Sequence, residues 1–169
     1  MDRHEVEDRV RRECQPFLSL LGPSGLSLYR GIDPRAPEVF EGRVDRARQP
    51  KNMPIPLHEA ADAWFSRQFG VRFRGAALFC TGSKATASRH GRLYRIYPVG
   101  GFQFCWSPSV GDLHVWATQN GLLDGHPAAL VESLKALDYR EDGLAEAIAS
   151  SSEIMVSCSR YYALEDRDD

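Results

Sequence analysis

Cysteine is scarce in this chain: only Cys14, Cys80, Cys105 and Cys158 occur in 169 residues. They lie far apart and form no CxxC pair or Cys/His spacing of the kind structural zinc needs, so no metal is expected. Thiols spread this thinly give no disulfide framework, and reduced thiols in a cytosol fit them best. No apolar run approaches the ~18 residues that a spanning helix requires, and no hydrophobic leader opens the chain. A cytoplasmic protein with no membrane partner is therefore expected. Charge of one sign is missing too, since 21 Lys and Arg stand against 23 Asp and Glu for a formal charge of -2. That balance argues against a generic electrostatic nucleic-acid binder. One local basic stretch, Arg43, Arg46, Arg48 and Lys51, reads either as a solvated loop or as a phosphate contact. Internal repeats are absent.

What is present is 43% hydrophobic and 26% charged residues, enough for one compact core and too little chain for two ordinary domains. Residues 1–169 are read as one globular domain. Val6, Val10, Cys14 and Phe17 recur on one helical face and predict an N-terminal helix over about 4–20. Leu26 to Ile32 alternates as a half-buried strand would. Asp33 to Pro56 holds five prolines and many charges without periodicity, which predicts a long surface loop. Pro56 opens a helix through Phe69, stopped by Gly70. Strands are expected over Arg72–Phe79, Arg92–Tyr97 and Gly101–Trp106, with a short helix over Lys84–His90 between the first two. The apolar faces of Ala129, Leu130, Leu134 and Leu137, and of Leu144, Ala147 and Ile148, predict two later helices. Ile154 to Leu164 closes the chain as a strand or hairpin, and the acidic tail 165–169 is expected to fray.

Three chemical tools arrive in order along these elements. Arg30 ends the first strand in Leu28-Tyr29-Arg30-Gly31, and a guanidinium fork can hold a pyrophosphate as lysine cannot. Phe79-Cys80-Thr81-Gly82-Ser83 offers small hydroxyls that can orient a ribose. Ser151-Ser152-Glu153-Ile154-Met155 sets one carboxylate at the mouth of an apolar strand, where it can accept from a ribose 2′-hydroxyl and stabilise an oxocarbenium-like cation. Each motif alone also fits ordinary structure: an edge ion pair, a turn, an exposed strand-start charge.

In this order the motifs, together with Ala87 to Gly91 and Leu93-Tyr94-Arg95-Ile96, resemble the ADP-ribosyltransferase fold of the Arg-Ser-Glu class. The resemblance covers Leu26 to about Tyr162. It implies an α+β domain of two packed, mainly antiparallel sheets that form an NAD-binding cleft with flanking helices. It further implies NAD as substrate, Glu153 as the catalytic carboxylate, Arg30 on the phosphate or ribose side, and Thr81 and Ser83 beside the nicotinamide ribose. The implied activity is NAD-dependent mono-ADP-ribosyl transfer, or NAD hydrolysis. Two departures stand out. The family's Ser-Thr-Ser triplet aligns on Cys80-Thr81-Gly82 or on Thr81-Gly82-Ser83, each with substitutions. Members that modify arginine carry Glu or Gln two residues before the catalytic Glu, where this chain has Ser151, so a nucleic acid, another protein side chain, a small molecule or water stays open as acceptor.

Phe102, Phe104 and Trp106 alternate along one strand, a stripe that suits core packing, with Phe102 placed to stack on nicotinamide. Tyr94 and Tyr97 take opposite faces of the preceding strand, and Tyr94 is the expected cofactor-facing ring. Arg48 and Asn52, in a basic, proline-stiffened loop, read either as the acceptor side of the cleft, together with Ser151, or as a structural clamp. Cys80 with His58, His90 or His114 forms a further candidate, a thiol nucleophile and its base. The alternative to an enzyme is a noncatalytic module on the same scaffold that binds a host or cellular protein. The small, loop-rich chain suits a bacteriophage or bacterial accessory protein.

Overall fold

In the computed structural model, which describes residues 1–167, the chain is an α+β protein with two antiparallel sheets and flanking helices. The first sheet runs in the order β1 (Tyr29–Ile32), β4 (Arg92–Pro98), β7 (Arg160–Glu165) and β2 (Val39–Arg43). The second runs β3 (Leu78–Cys80), β6 (Ile154–Ser157) and β5 (Gln103–Trp106). Strand alternation assigns each side chain to a layer. Ile154 and Val156 of β6 join Tyr161 and Ala163 of β7 in a core shared by both sheets. The opposite face of β6 sends Met155 to Leu57, Ala61 and Phe65 of α3 (Ile55–Phe69) and to Leu130 and Leu134 of α6 (Pro127–Lys135). The outer face of β7 sends Tyr162 and Leu164 to Val6 and Val10 of α1 (Arg3–Glu13). The order from outside in is thus helix, sheet, sheet, helices.

Two backbone hydrogen bonds tie the sheets together where β1 meets the end of β3. Tyr29 N–H donates to the Thr81 carbonyl at 2.8 Å and Thr81 N–H to the Tyr29 carbonyl at 2.9 Å. Two helices press on this junction. A Cβ on Gly31 would lie 2.2 Å from the Ala87 carbonyl oxygen of α4 (Lys84–Ser88), and one on Gly82 would lie 1.8 Å from the Ile148 carbonyl oxygen of α7 (Leu144–Ser150). Glycine is what lets these backbones approach.

Several elements differ from expectation. The N-terminal helix is two: α1 ends at Cys14, and α2 (Gln15–Leu21) begins with Pro16 in its first turn. Proline has no N–H for the preceding turn and clashes with its carbonyl, so one continuous helix is broken there. The surface loop over Asp33–Pro56 contains β2, paired with β7 from Val39↔Leu164 to Arg43↔Arg160. Its four half-buried residues and exposed Arg43 give no alternation to detect. Of the expected Arg72–Phe79 strand only Leu78 and Phe79 are extended, in β3, which runs on to Cys80; the Asp62 carboxylate accepts from Arg74 and Gly75 N–H and holds the earlier stretch in a turn. Residues 154–164 form no hairpin, since Cys158 and Ser159 carry the chain from one sheet to the other. Within the tail, Glu165 closes β7 and Asp166 is buried against Lys84 and Arg95 at 2.6 and 2.5 Å, while residues 168 and 169 lie outside the described residues. Among the described residues no helix is long and apolar enough to cross a membrane.

Candidate active site

A cavity of about 360 Å³ opens at the junction of the two sheets. Its size lies within the ordinary range of ligand sites. Four cationic side chains line it, Arg30, Arg48, Lys51 and Arg74, against two carboxylates, Asp112 and Glu153. The formal surplus of two positive charges favours an anionic ligand. A more open depression of about 460 Å³, lined by Arg46, Arg72, Phe102, Gln103, Ser157 and Cys158 among others, holds no carboxylate and none of the convergent groups that chemistry needs.

Glu153 is set between α7 and β6. Ser151 ends α7 in the left-handed region at φ 61°, which turns the chain sharply, and Glu153 N–H then donates to the Gly111 carbonyl at 2.7 Å. The Glu153 side chain meets a partner that sequence reasoning missed. Arg74 Nη1 donates to Glu153 Oε1 at 2.6 Å and also meets Met155 Sδ at 3.5 Å. The two side chains retain only 7% and 12% of their exposure, so this is a buried ion pair rather than a surface one. Burial opposes the charge on Arg74, and Glu153 together with Tyr139 and Asp112 more than offsets it, so the guanidinium is held even more firmly protonated than usual. Glu153 Oε2 accepts no hydrogen bond from the described residues.

Arg74 is itself fixed from two sides. Its backbone N–H donates to Asp62 Oδ1 at 2.9 Å, and its carbonyl accepts from Arg48 Nη1 at 3.1 Å. The guanidiniums of Arg48 and Arg74 lie 4.2 and 4.4 Å from the Phe79 ring centroid, and Arg30 Nη1 donates to the Phe79 carbonyl at 2.8 Å. Three guanidiniums therefore gather on one β3 residue. Arg48 shows the strain of this crowding: burial, then Arg74 and Arg30, pull its pKa below the usual value.

Of the residues singled out in the sequence, the fold brings Arg30, Thr81, Glu153, Arg48 and Asn52 to this cavity. Thr81 is committed structurally, since its hydroxyl donates to the Ser151 carbonyl at 3.2 Å and accepts from Ser83 N–H at 3.1 Å. Ser83 caps α4 by accepting from Thr86 N–H at 3.1 Å and does not line the cavity. Ser151 contributes that carbonyl, not its side chain. Arg48 acts as the clamp that was one of its two expected roles, because its N–H also bonds the Gly75 carbonyl at 2.8 Å, and it lines the cavity as well. Tyr94 and Phe102 lie elsewhere. Tyr94 is fully buried between the sheets, its ring edge-on to Phe40 and its hydroxyl donating to the Pro37 carbonyl at 2.9 Å. Phe102 packs against Phe17 and Phe104 and borders the shallower depression.

Cys80 lines the cavity, but burial pushes its pKa up to about 12, which leaves a thiol rather than a nucleophilic thiolate at neutral pH. Arg74 had a detectable signal: a lone cation in the apolar run from Phe73 to Phe79, which must find a partner if buried. His58, one of the candidate bases in the sequence, forms an i,i+4 pair with Asp62 on the buried side of α3. Among the described residues no three of His, Cys, Asp and Glu converge in an arrangement that could hold a metal ion. No known protein family, characterised protein or solved structure matches the chain.

Proposed function

We propose that this protein is an NAD-dependent ADP-ribosyltransferase of the Arg-Ser-Glu type, which cleaves the nicotinamide glycosidic bond and passes ADP-ribose to an acceptor. One observation carries the proposal. Glu153 is held by one carboxylate oxygen only, inside a cavity whose other walls supply Arg30, Arg48 and Lys51. The cations suit the pyrophosphate, with Arg30 offering the donors it does not spend on the Phe79 carbonyl. The free Glu153 Oε2 suits the ribose 2′-hydroxyl and the cation that develops at C1′ as neutral nicotinamide departs. Arg74 fixes the carboxylate in advance, so it need not reorganise during the reaction. The Arg48, Lys51 and Asn52 loop bounds the side from which a macromolecular acceptor would enter. Thr81, with its hydroxyl proton committed, can serve the ribose only as an acceptor.

The same ion pair favours the second reading, a noncatalytic binding module: a glutamate neutralised by a buried arginine is also what a purely structural role would preserve. Nicotinamide release from NAD by wild type and Glu153→Gln separates the two. Transfer or hydrolysis requires that the variant lose about two orders of magnitude or more in turnover per folded molecule. Equal background from both proteins would leave the binding module. Added cell lysate that raises release only with wild type would point to a macromolecular acceptor. NAD should raise the melting temperature of the wild type, and Arg30→Ala should abolish that rise.

A further inference from the structure

His58 sits on α3 in the same cavity as Glu153, with its side chain 9% exposed. Its ring makes no hydrogen bond to the described residues, and its nearest polar partner is Asp62, with Nε2 4.0 Å from Oδ2. Asp62 is itself immobilised. Its Oδ1 accepts from Arg74 and Gly75 N–H at 2.9 and 3.2 Å, and its Oδ2 lies 3.4 Å from Arg72 Nε. A Cβ on Gly75 would come within 2.5 Å of Asp62 Oδ2 and 3.7 Å of His58 Nε2, so imidazole, carboxylate and turn are packed as one unit. The ring nitrogens of His58 are not among the buried atoms left without a partner, whereas His114 Nδ1 in the same cavity is, so the unspent capacity of His58 is open to the cavity.

The other groups lining the cavity that could take a proton are Asp112, Glu153, His90 and His114. Ser151 stands two residues before Glu153, where it contributes only a backbone carbonyl to Thr81. Asp112 spends one oxygen as the cap of α5 (Leu113–Gln119), accepting from Val115 N–H at 2.9 Å, and keeps the other. Glu153 is tied to Arg74 through one oxygen, and its other oxygen serves the ribose in the proposed reaction. A cationic acceptor such as a guanidinium is disfavoured by the positive surplus in the cavity.

Resting on the NAD-cleaving function proposed above, we infer that His58 is the general base that activates the acceptor, and that the acceptor is a neutral O–H nucleophile. The C1′–N bond breaks with its electron pair leaving on nicotinamide. The acceptor oxygen forms the new bond to C1′, and its proton passes to a His58 ring nitrogen. Asp62 acts as a positioning residue that steadies the resulting imidazolium. The charged and titratable groups around His58 are Asp62 and Glu59 on its own helix, Arg48 on the preceding loop and Arg74 on the following turn, with Glu153, Asp112, His90, His114, Cys80, Arg30 and Lys51 along the cavity. Burial, then Arg74 and Arg48, outweigh Asp62 and lower the His58 pKa below 6.5, which keeps the resting ring neutral and able to take a proton at neutral pH.

The test is a partition experiment on the full-length protein, with NAD, water as O–H acceptor and azide as a competing nucleophile that has no proton to lose. A missing base slows attack by water and spares attack by azide. His58→Gln should therefore raise the ratio of ADP-ribosyl azide to ADP-ribose by about tenfold or more, within the usual reach of general-base catalysis. The ratio is insensitive to partial unfolding, which lowers both products alike. In wild type the same ratio, taken per azide anion, should rise as pH falls below 6.5 and the imidazole protonates. A His58→Gln ratio equal to wild type, in an enzyme whose nicotinamide release still depends on Glu153, would overturn the inference alone. Absence of Glu153-dependent release would remove the transferase proposal and this one with it. With methanol added as a second O–H acceptor, His58→Gln should raise the ratio of ADP-ribosyl azide to methyl ADP-riboside by the same factor if any O–H nucleophile uses this base.

Discussion

Removing one partner of the Arg74–Glu153 pair should cost far more stability than removing both. The side chains keep 7% and 12% of their exposure, so neither charge left behind can be fully rehydrated in place. Breaking a buried pair from one side costs about 3–5 kcal/mol, whereas replacing both partners by apolar groups is often near neutral. The two single variants should also differ. Arg74→Met leaves Glu153 at the cavity wall, where water can reach it. Glu153→Leu leaves Arg74 unpaired beside Met155, with an Nε that already lacks a partner, and should be the worse of the two. For a chain of this length about 2–4 °C is lost per kcal/mol, so single variants should melt roughly 6–20 °C below wild type. The assay is thermal and urea unfolding of wild type, both singles and the Arg74→Met/Glu153→Leu double variant. The double variant should melt above both singles, which requires a coupling larger than the worse single loss, about 5 kcal/mol or more. Singles within about 1 kcal/mol of wild type, or losses that simply add, would refute the claim that this pair is buried and mutually dependent.

Asp166 should carry part of the protein's acid sensitivity. Burial opposes its ionisation, but Lys84 and Arg95 outweigh that and hold its pKa below 3.8. Its contribution is therefore present above pH 3.8 and lost as pH falls through the lower folded value. The stability gap between wild type and Asp166→Asn in urea melts should narrow below that pH, and a gap unchanged with pH would count against the pairing. Gly82→Ala places a Cβ 1.8 Å from the Ile148 carbonyl and should cost about 1–3 kcal/mol or more, while Gly101→Ala, with open space around it, should be close to neutral in the same melts. Tyr94→Phe removes a buried hydrogen bond to Pro37 and should cost about 0.5–1.5 kcal/mol while leaving the NAD-induced thermal shift intact. Loss of that shift would return Tyr94 to the cofactor side.

Much of the fold was legible because its elements carry local signals. The α3 helix announces itself through Pro56, its apolar face and Gly70, which ends it in the left-handed region with an N–H to the Ser66 carbonyl. The alternation of β4 and β5 likewise survives folding, since both faces of each strand pack against something different. β2 was illegible for the opposite reason. It is a sheet edge whose residues are mostly half-buried, and Gly42 stands where the Tyr161 ring crosses within 2.4 Å of a would-be Cβ. Such a strand is specified by its partner and not by its own pattern.

The chain order of Arg30, Thr81 and Glu153 was set by sequence alone, as was the local chemistry each residue can perform. Tertiary structure decided which of them share a cavity, because Tyr29 and Thr81 pin two sheets together from positions some fifty residues apart in the chain. It also supplied what no short motif encodes: Arg74 on Glu153 across 79 residues, and Asp62 holding the turn that delivers Arg74. Hydrogen-bonding capacity is a property of a residue, but the partner that consumes it is a property of the fold. Thr81 and Ser83 therefore spend hydroxyls on local structure, Tyr94 withdraws into the core, and His58 emerges beside the candidate carboxylate with its ring unspent.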